Sequence, residues 1–349
     1  MKQALITGGA GFIGTNLAHR LLSMGIGVRI LDNLSRLGAE QNLSWLRHSP
    51  KGKLDIRIGD IRSTSDVDVA VKAVDQVFHF AAQVAVTSSL NDPITDFEIN
   101  ARGTLNVLEA IRRQPNPPGI VFTSTNKVYG SLNDIPLERI GGRYFPRAPL
   151  RRAETDETRP LDFHSPYGCS KGAADQYVLD YARIYGIPAT VFRMSCIYGP
   201  HQFGNEDQGW VAHFMIRAME QIPLTIYGDG AQVRDVLFVD DLVDAFLRAN
   251  ARITEIAGRA FNIGGGAERT ISLIELVRAL ERLGLPKLRI RTEPWRSGDQ
   301  RYYVSNFQSF QNATGWKPQV GVQEGISRLY EWLEHYRAGS PFTSVMQEA

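Results

Sequence analysis

The chain has 349 residues, a formal net charge of +2, and 43% hydrophobic against 22% charged residues. That length buries a large core, in one composite unit or two domains. The near-neutral charge excludes the basic surface that nucleic acid or an anionic membrane requires. Two cysteines, Cys169 and Cys196, make no disulfide framework, so a reducing, cytoplasmic setting is expected.

Glycine breaks the opening "MKQALITGG" too early for a signal peptide, and no apolar run reaches membrane-spanning length. "QALIT" reads as a strand, followed by a glycine turn and a helix over 12–24. "VRILD", "LDIRIGD" and "QVFHFAA" read as three more strands, the last two flanking a short helix over 66–73. A long helix is predicted over 95–113, then "RQPNPPG" as a tight surface connection and "GIVFTST" as a buried strand. A helix over 166–185 and the strand "ATVFR" follow. This alternation predicts an α/β fold, a Rossmann-type doubly wound parallel sheet. Beyond Arg193 the pattern is less regular. "PLTIYGDG" reads as strand and turn, "FVDDLVDAFLRA" as a helix, and "GRAFNIGGG" as a return to the main sheet. "SLIELVRALERLG" and "GISRLYEWLEHY" are amphipathic helices of a smaller, discontinuous unit, and the chain from Arg337 onward is expected to fray.

The turn after the first strand is "GGAGFIG", carrying Gly8, Gly11 and Gly14. Glycine alone lets the backbone turn this sharply and approach a pyrophosphate, which the helix N-terminus then receives. Asp32 ends the second strand, where a carboxylate accepts ribose hydroxyls and repels a 2′-phosphate, so NAD is expected over NADP, with Arg36 close enough to moderate the preference. Asp60 ends the third strand and suits either the adenine or a helix cap. The seven histidines fall at no metal-ligand spacing, and no metal is assigned.

"SPYGCSKGAADQYVLDYARIYG" brings Tyr167 and Lys171 to one helix face, four residues apart. Ser165 and Pro166 suit the start of that helix, and Gly186 and Pro188 its end. A nearby ammonium favours a phenolate. Bringing a tyrosine from ~10 to neutral pH takes about 4 kcal/mol of differential interaction. Such a phenolate removes the proton of a sugar hydroxyl as its carbon loses hydride.

Together with "HFAAQV", "STNKVYG", "YGCSK", "FRMSCIYGP", "QVRDVLFVDD" and "GDQRYYVSN", these motifs resemble the extended short-chain dehydrogenase/reductase family, in its nucleotide-sugar epimerase and dehydratase branch. The resemblance spans nearly the whole chain. It implies an NAD-binding domain over 1–193 plus about 236–265, a nucleotide-sugar-binding domain over 194–235 and 266–337, and a tail over 338–349. Thr125 would share the substrate oxygen with Tyr167, and Lys171 would complete the catalytic set. Phe12, Ile13, Asn33, Ile61, Ala81, Ala82, Gln83, Asn100 and Thr123 would join the glycines, Asp32 and Asp60 around the cofactor. Gln83, Thr125, Asn126, Lys127, His164, Gln202 and Gln208 would border the substrate, with Arg234 and Arg301 on its diphosphate.

Members that dehydrate the sugar carry an Asp-Glu pair after the hydroxyl. Here Asn126 and Lys127 stand in those places, which leaves oxidation followed by re-reduction. Within the family "STNKVYG", "NLSRLGAEQNLSWL" and "LDFHSPYGCSKGAADQY" are most similar to the enzymes that invert carbon 2 of CDP-hexoses. "HQFGNEDQGWV" carries His201 where that group is expected to have arginine. The competing readings are a UDP-hexose 4-epimerase or related reductase, and a non-catalytic NAD-binding regulator. A homodimer or homotetramer is expected through the 105–113 and 177–184 segments.

Overall fold

The computed structural model describes residues 1–48, 51–148, 153–296 and 298–339. Its centre is a seven-stranded sheet: β1 (Gln3–Thr7), β2 (Gly27–Asp32), β3 (Leu54–Ile58), β4 (Gln76–His79), β5 (Gly119–Thr125), β8 (Ala189–Met194) and β12 (Arg259–Ile263). The order is β12-β8-β5-β4-β1-β2-β3 and every pairing is parallel. The middle strands are buried on both faces and therefore read as continuous apolar runs. Helices α1 (Phe12–Ser23), α2 (Ala39–Leu46) and α9 (Val239–Ala251) cover one face, where Leu17, Leu43 and Phe246 meet Ile6, Ile30 and Phe192. Helices α3 (Thr64–Val71), α6 (Gly103–Arg112) and α7 (Ser165–Tyr185) cover the other through Val67, Leu108 and Val178. The strand order reverses between β1 and β4, and such a reversal opens a crevice at the carboxyl ends of the strands.

The run predicted as one helix over 95–113 is helical throughout but not uniform. Helix α4 (Val86–Asn91) ends at Asp92, whose carboxylate accepts the Thr95 N–H at 3.0 Å and so starts α5 (Pro93–Phe97). A wide π turn at Glu98–Arg102 joins α5 to α6. Helix α7 begins one residue before the prediction. Ser165, at φ +66°, takes the Gly168 N–H on its hydroxyl, and Gly186 closes the other end in the left-handed region.

The hairpin β6 (Leu137–Ile140) and β7 (Arg143–Pro146) has no counterpart in the sequence analysis. The remaining elements build a second layer. In it β9 (Cys196–Tyr198) lies parallel to β11 (Val233–Phe238), beside β13 (Thr270–Ser272) and β15 (Tyr302–Tyr303), while β10 (Leu224–Tyr227) pairs with β14 (Ile290–Glu293). Helices α8 (Trp210–Glu220), α10 (Leu273–Arg282) and α12 (Val322–Arg337) seal a separate core around Met215, Leu276 and Trp332, while α11 (Gln308–Thr314) packs under the main sheet. Ser272 caps α10 in a reciprocal box with Glu275. Most of the tail expected to fray lies outside the described residues.

Candidate active site

One pocket follows the carboxyl edge of the sheet. Gly8, Gly11, Phe12, Ile13 and Gly14 form its floor, and Asp32, Asn33, Asp60 and Ile61 one end. Ala81, Ala82, Thr123, Tyr167 and Lys171 line the other end, and Gln202 and Gln208 reach it from the second layer.

The floor is shaped for a dinucleotide. At Gly8, where φ is +68°, a Cβ would lie 2.7 Å from the Ala81 nitrogen; at Gly14 it would lie 2.4 Å from the Gly8 carbonyl oxygen. No side chain caps the first turn of α1 and no acid sits there, so its N–H groups remain available to a diphosphate. Asp32 accepts the N–H groups of Ala10 at 2.9 Å and Leu34 at 2.8 Å. Burial pushes its carboxyl up, and those two bonds pull it back down. Asp60 is held at about 2, chiefly by the Arg62 guanidinium, and also accepts from Asn33. These residues fit NAD: the Asp32 and Asp60 carboxylates disfavour a 2′-phosphate at this end, although Arg36 also lines the pocket.

Segment 201–208 forms a wall over this end. The Phe203 ring packs on Gly38, and His201 donates from Nδ1 to Asn42 while its ring packs at a tilt against Trp45, 4.1 Å between centres. Burial drives His201 to about 3, so it stands neutral where related sequences are expected to have a cation. The Gln202 carbonyl oxygen is buried with no partner among the described residues, whereas its amide is tied to the Ile197 carbonyl.

Tyr167 is 8% exposed and Lys171 3%. The ammonium nitrogen of Lys171 lies 4.2 Å from the centre of the Phe122 ring. Burial pushes Tyr167 up to about 12, with the Thr125 hydroxyl the main influence pulling it down. Burial pushes Lys171 down to about 7. The expected phenolate draws on both the lysine and the positive nicotinamide ring of bound NAD, and these values are those of the protein alone. The protein alone penalises both charges, and the Arg36 guanidinium is one influence that favours the phenolate. The lysine's strain has a measurable sign. Its folded pKa lies below the unfolded ~10.4, so unfolding takes up a proton between those values and stability rises with pH across that window. Lys171→Met is therefore expected to raise the Tm of cofactor-stripped protein at pH 7, by the equivalent of about 2–4 kcal/mol. Calorimetry should show the gain vanishing above pH ~10.

Several marked residues stand elsewhere. Gln83 turns its amide away from the pocket, onto Asp96 and the Ala85 carbonyl, and Asn100 is buried against Asp96, Ser170 and the Gln83 backbone. Both are framework beneath the pocket lining. His164 pairs with Asp162 at 3.0 Å on the surface. Arg301 lies outside the pocket, over the Trp295 and Tyr144 rings. Asn126 donates to Gln300 at 3.3 Å, and Lys127 to the Gly298 carbonyl at 3.1 Å. Arg234 donates to Asp299 at 2.8 Å, and the same carboxylate stands 3.8 Å from Lys127. Asn126, Lys127 and Arg234 thus gather beside Thr125 against the 298–300 segment, with Asp299 between the two cations. Ser124, Met194, Asn42 and Phe203 also line the dinucleotide pocket and were missed. Ser124 and Met194 sit at the carboxyl ends of their strands, the one signal that would have found them.

A glycine cradle, an acid at the end of the second strand, and a buried Tyr–Lys pair at the far end define a site for dinucleotide-dependent chemistry at a carbon–oxygen bond. Residues 4–264 match the model of the NAD dependent epimerase/dehydratase family, and the chain belongs to it. NAD is its cofactor. The chain is 46% identical to CDP-paratose 2-epimerase of Salmonella typhi, over 95% of this chain and 98% of that protein. Among solved structures, UDP-glucose 4-epimerase of Thermus thermophilus in complex with NAD superposes with a TM-score of 0.78 at 33% identity, covering 96% of this chain and 99% of that one. UDP-glucose 4-epimerase of Thermotoga maritima with UDP-glucose gives 0.80 at 30%, with the same coverage. No described helix is long and apolar enough to cross a membrane.

Proposed function

We propose that the protein is an NAD-dependent epimerase of a nucleotide-linked sugar, and that it inverts carbon 2 of a CDP-hexose of the paratose type. The observation that carries the reaction type is the pair after Thr125. Asn126 and Lys127 offer no carboxylic acid to expel a hydroxyl and no carboxylate to take a ring proton, so no dehydration is served. The carbon and the nucleotide rest on the 46% relative. Held by the glycine turn and Asp32, NAD would supply reversible hydride acceptance from the sugar carbon. The Tyr167 oxygen takes the hydroxyl proton and later gives it back. Thr125, which already bears on the phenol, holds the same sugar oxygen. Lys171, which lines the same pocket, would help to hold the cofactor. Arg234 and Lys127 supply charge for the diphosphate, with Asp299 as the carboxylate they exchange for it. Anchoring at the diphosphate leaves the oxidised sugar free to present its other face.

The two UDP-glucose 4-epimerase neighbours favour a second reading, inversion at carbon 4 of a UDP-hexose. Incubation with CDP-paratose and with UDP-glucose, resolved by NMR of the product, separates the two. Carbon 2 inversion of CDP-paratose with UDP-glucose unchanged is the expected result; the converse would reverse the assignment. We also propose a homodimer. In the seam expected from sequence, the α6 residues Leu108 and Ile111 turn inward. Tyr177 and Ile184 of α7, with Ile94 and Phe97 of α5, remain exposed. Sedimentation equilibrium of the same preparation should give twice the chain mass.

A further inference from the structure

The charges along the cofactor pocket are unevenly matched. Asp32, Arg36, Asp60 and Lys171 are its charged lining side chains, and the His201 ring beside them is neutral. Asp60 is paired with Arg62 at 2.8 Å, whereas Asp32 meets two backbone N–H groups and no cation among the described residues. Lys171 stands at the other end, with Tyr167. A dinucleotide's diphosphate adds two negative charges at the glycine turn, next to Asp32. The N-terminus of α1 offsets about half of one charge. The one full cation lining that end of the pocket is Arg36.

The loop that carries Arg36 is held on both sides of it. Leu34, left-handed at φ +57°, packs on the core of the sheet, and its N–H is bonded to Asp32 at 2.8 Å. The Ala39 N–H closes a turn on the Arg36 carbonyl at 3.1 Å. Gly38, at φ +85°, starts α2 and carries the Phe203 ring of the opposite wall. A leucine takes a left-handed backbone only where its surroundings enforce it, so this loop is a defined support and not a slack connection. From it Ser35, Arg36 and Leu37 all border the pocket. The Arg36 side chain makes no ion pair or hydrogen bond with any described residue, so its five donors are uncommitted. Its charge is also felt by the Tyr167 phenol at the other end. Both relations place the guanidinium along the stretch between Asp32 and Tyr167, which a diphosphate spans when the adenosine ribose meets Asp32.

We propose that Arg36 is a clasp for the cofactor's diphosphate: the glycine turn and the start of α1 receive the phosphates with backbone N–H groups, and the Arg36 guanidinium closes on them from the opposite side with charge-assisted hydrogen bonds. The planar fork of a guanidinium matches phosphate oxygens, and a charged pair of this kind is stronger than a bond between neutral groups. The substrate's diphosphate has its own cations in Arg234 and Lys127, on the other side of Thr125, so Arg36 is not needed there. The clasp gives cofactor retention a marked dependence on ionic strength, because one contributor is a solvent-facing charge. The inference rests on NAD as the cofactor and not on which sugar is turned over.

The test is binding to the cofactor-stripped full chain, by titration calorimetry with NAD, ADP-ribose, adenosine and NADP. In Arg36→Gln, affinity for NAD and for ADP-ribose is expected to fall about 10- to 100-fold, the span of a lost hydrogen bond between charged groups. Adenosine, which lacks the diphosphate, should bind within about twofold of wild type. Arg36→Lys should recover part of the loss, since it restores the charge without the fork. Raising the salt concentration should weaken NAD binding more in wild type than in Arg36→Gln. Unchanged affinity for ADP-ribose overturns the proposal. A loss confined to NADP overturns it in favour of a 2′-phosphate contact, and an equal loss for adenosine in favour of packing on the base. Should NAD resist stripping, exchange of bound NAD for isotope-labelled NAD, followed by mass, gives the same comparison: faster exchange in Arg36→Gln is expected, and an unchanged rate overturns the clasp. No arm uses turnover, so failure of the proposed sugar reaction leaves every result readable.

Discussion

Replacing Tyr167 by phenylalanine is expected to lower kcat about 100- to 10,000-fold, the span that loss of a positioned proton acceptor produces. The ring is buried beside the cofactor pocket, and only the hydroxyl oxygen is deleted, so packing changes little. NAD content and KM should therefore stay within about twofold, because the lost interaction is made in the transition state and not in the ground state. Product analysis by NMR and mass measurement of the released cofactor check both halves. A variant that keeps wild-type turnover would place the proton acceptor elsewhere. A variant that loses turnover yet keeps its full biological effect would make the protein an NAD-binding regulator instead.

Gly14→Ala is expected to yield protein without NAD and without epimerisation. The new methyl would sit 2.4 Å from the Gly8 oxygen and 2.6 Å from the Gly9 Cα, and neither neighbour is a side chain that can swing aside. The glycine turn must open, at a cost of about 1–3 kcal/mol, and the N–H groups of α1 then miss the diphosphate. Gly321→Ala is the control, since nothing lies within 4 Å of that position and its φ is −73°. Denaturing each purified variant and weighing the released small molecules gives the comparison. Wild-type NAD content in Gly14→Ala would show that this turn is not the cofactor's floor.

Both variants act on features legible in the primary structure, and the reason is common to them. The glycine turn and the Tyr–Lys pair are local: backbone approach and helix periodicity determine them within a few residues. The parallel sheet was legible because buried strands must be apolar on both faces. What stayed hidden depends on partners far along the chain. Asn126 and Lys127 lie beside the marked hydroxyl, yet what they touch is the 298–300 segment, some 170 residues later. Gln83 was expected at the pocket from the family resemblance, but its amide is claimed by Asp96 on α5. His201 seemed a lost charge and is instead a ring wedged between Trp45 and Trp332. The phenol was expected to ionise with help from both the lysine and the nicotinamide ring of bound NAD. The burial that opposes this in the protein alone is a property of the whole fold, which local spacing does not show.

The edge strand β12 comes from residues 259–263, after the chain has already built β9, β10 and β11 of the other layer. A nascent chain therefore holds the β8 edge unpaired, with Phe192 lacking its neighbour Phe261, until more than two hundred and fifty residues have been synthesised. A fragment cut after Met194 would expose that edge permanently and invite strand-to-strand association. Neither half can be harvested as a stand-alone module, and a fusion or split reporter built on this protein has to join its pieces somewhere other than the apparent midpoint.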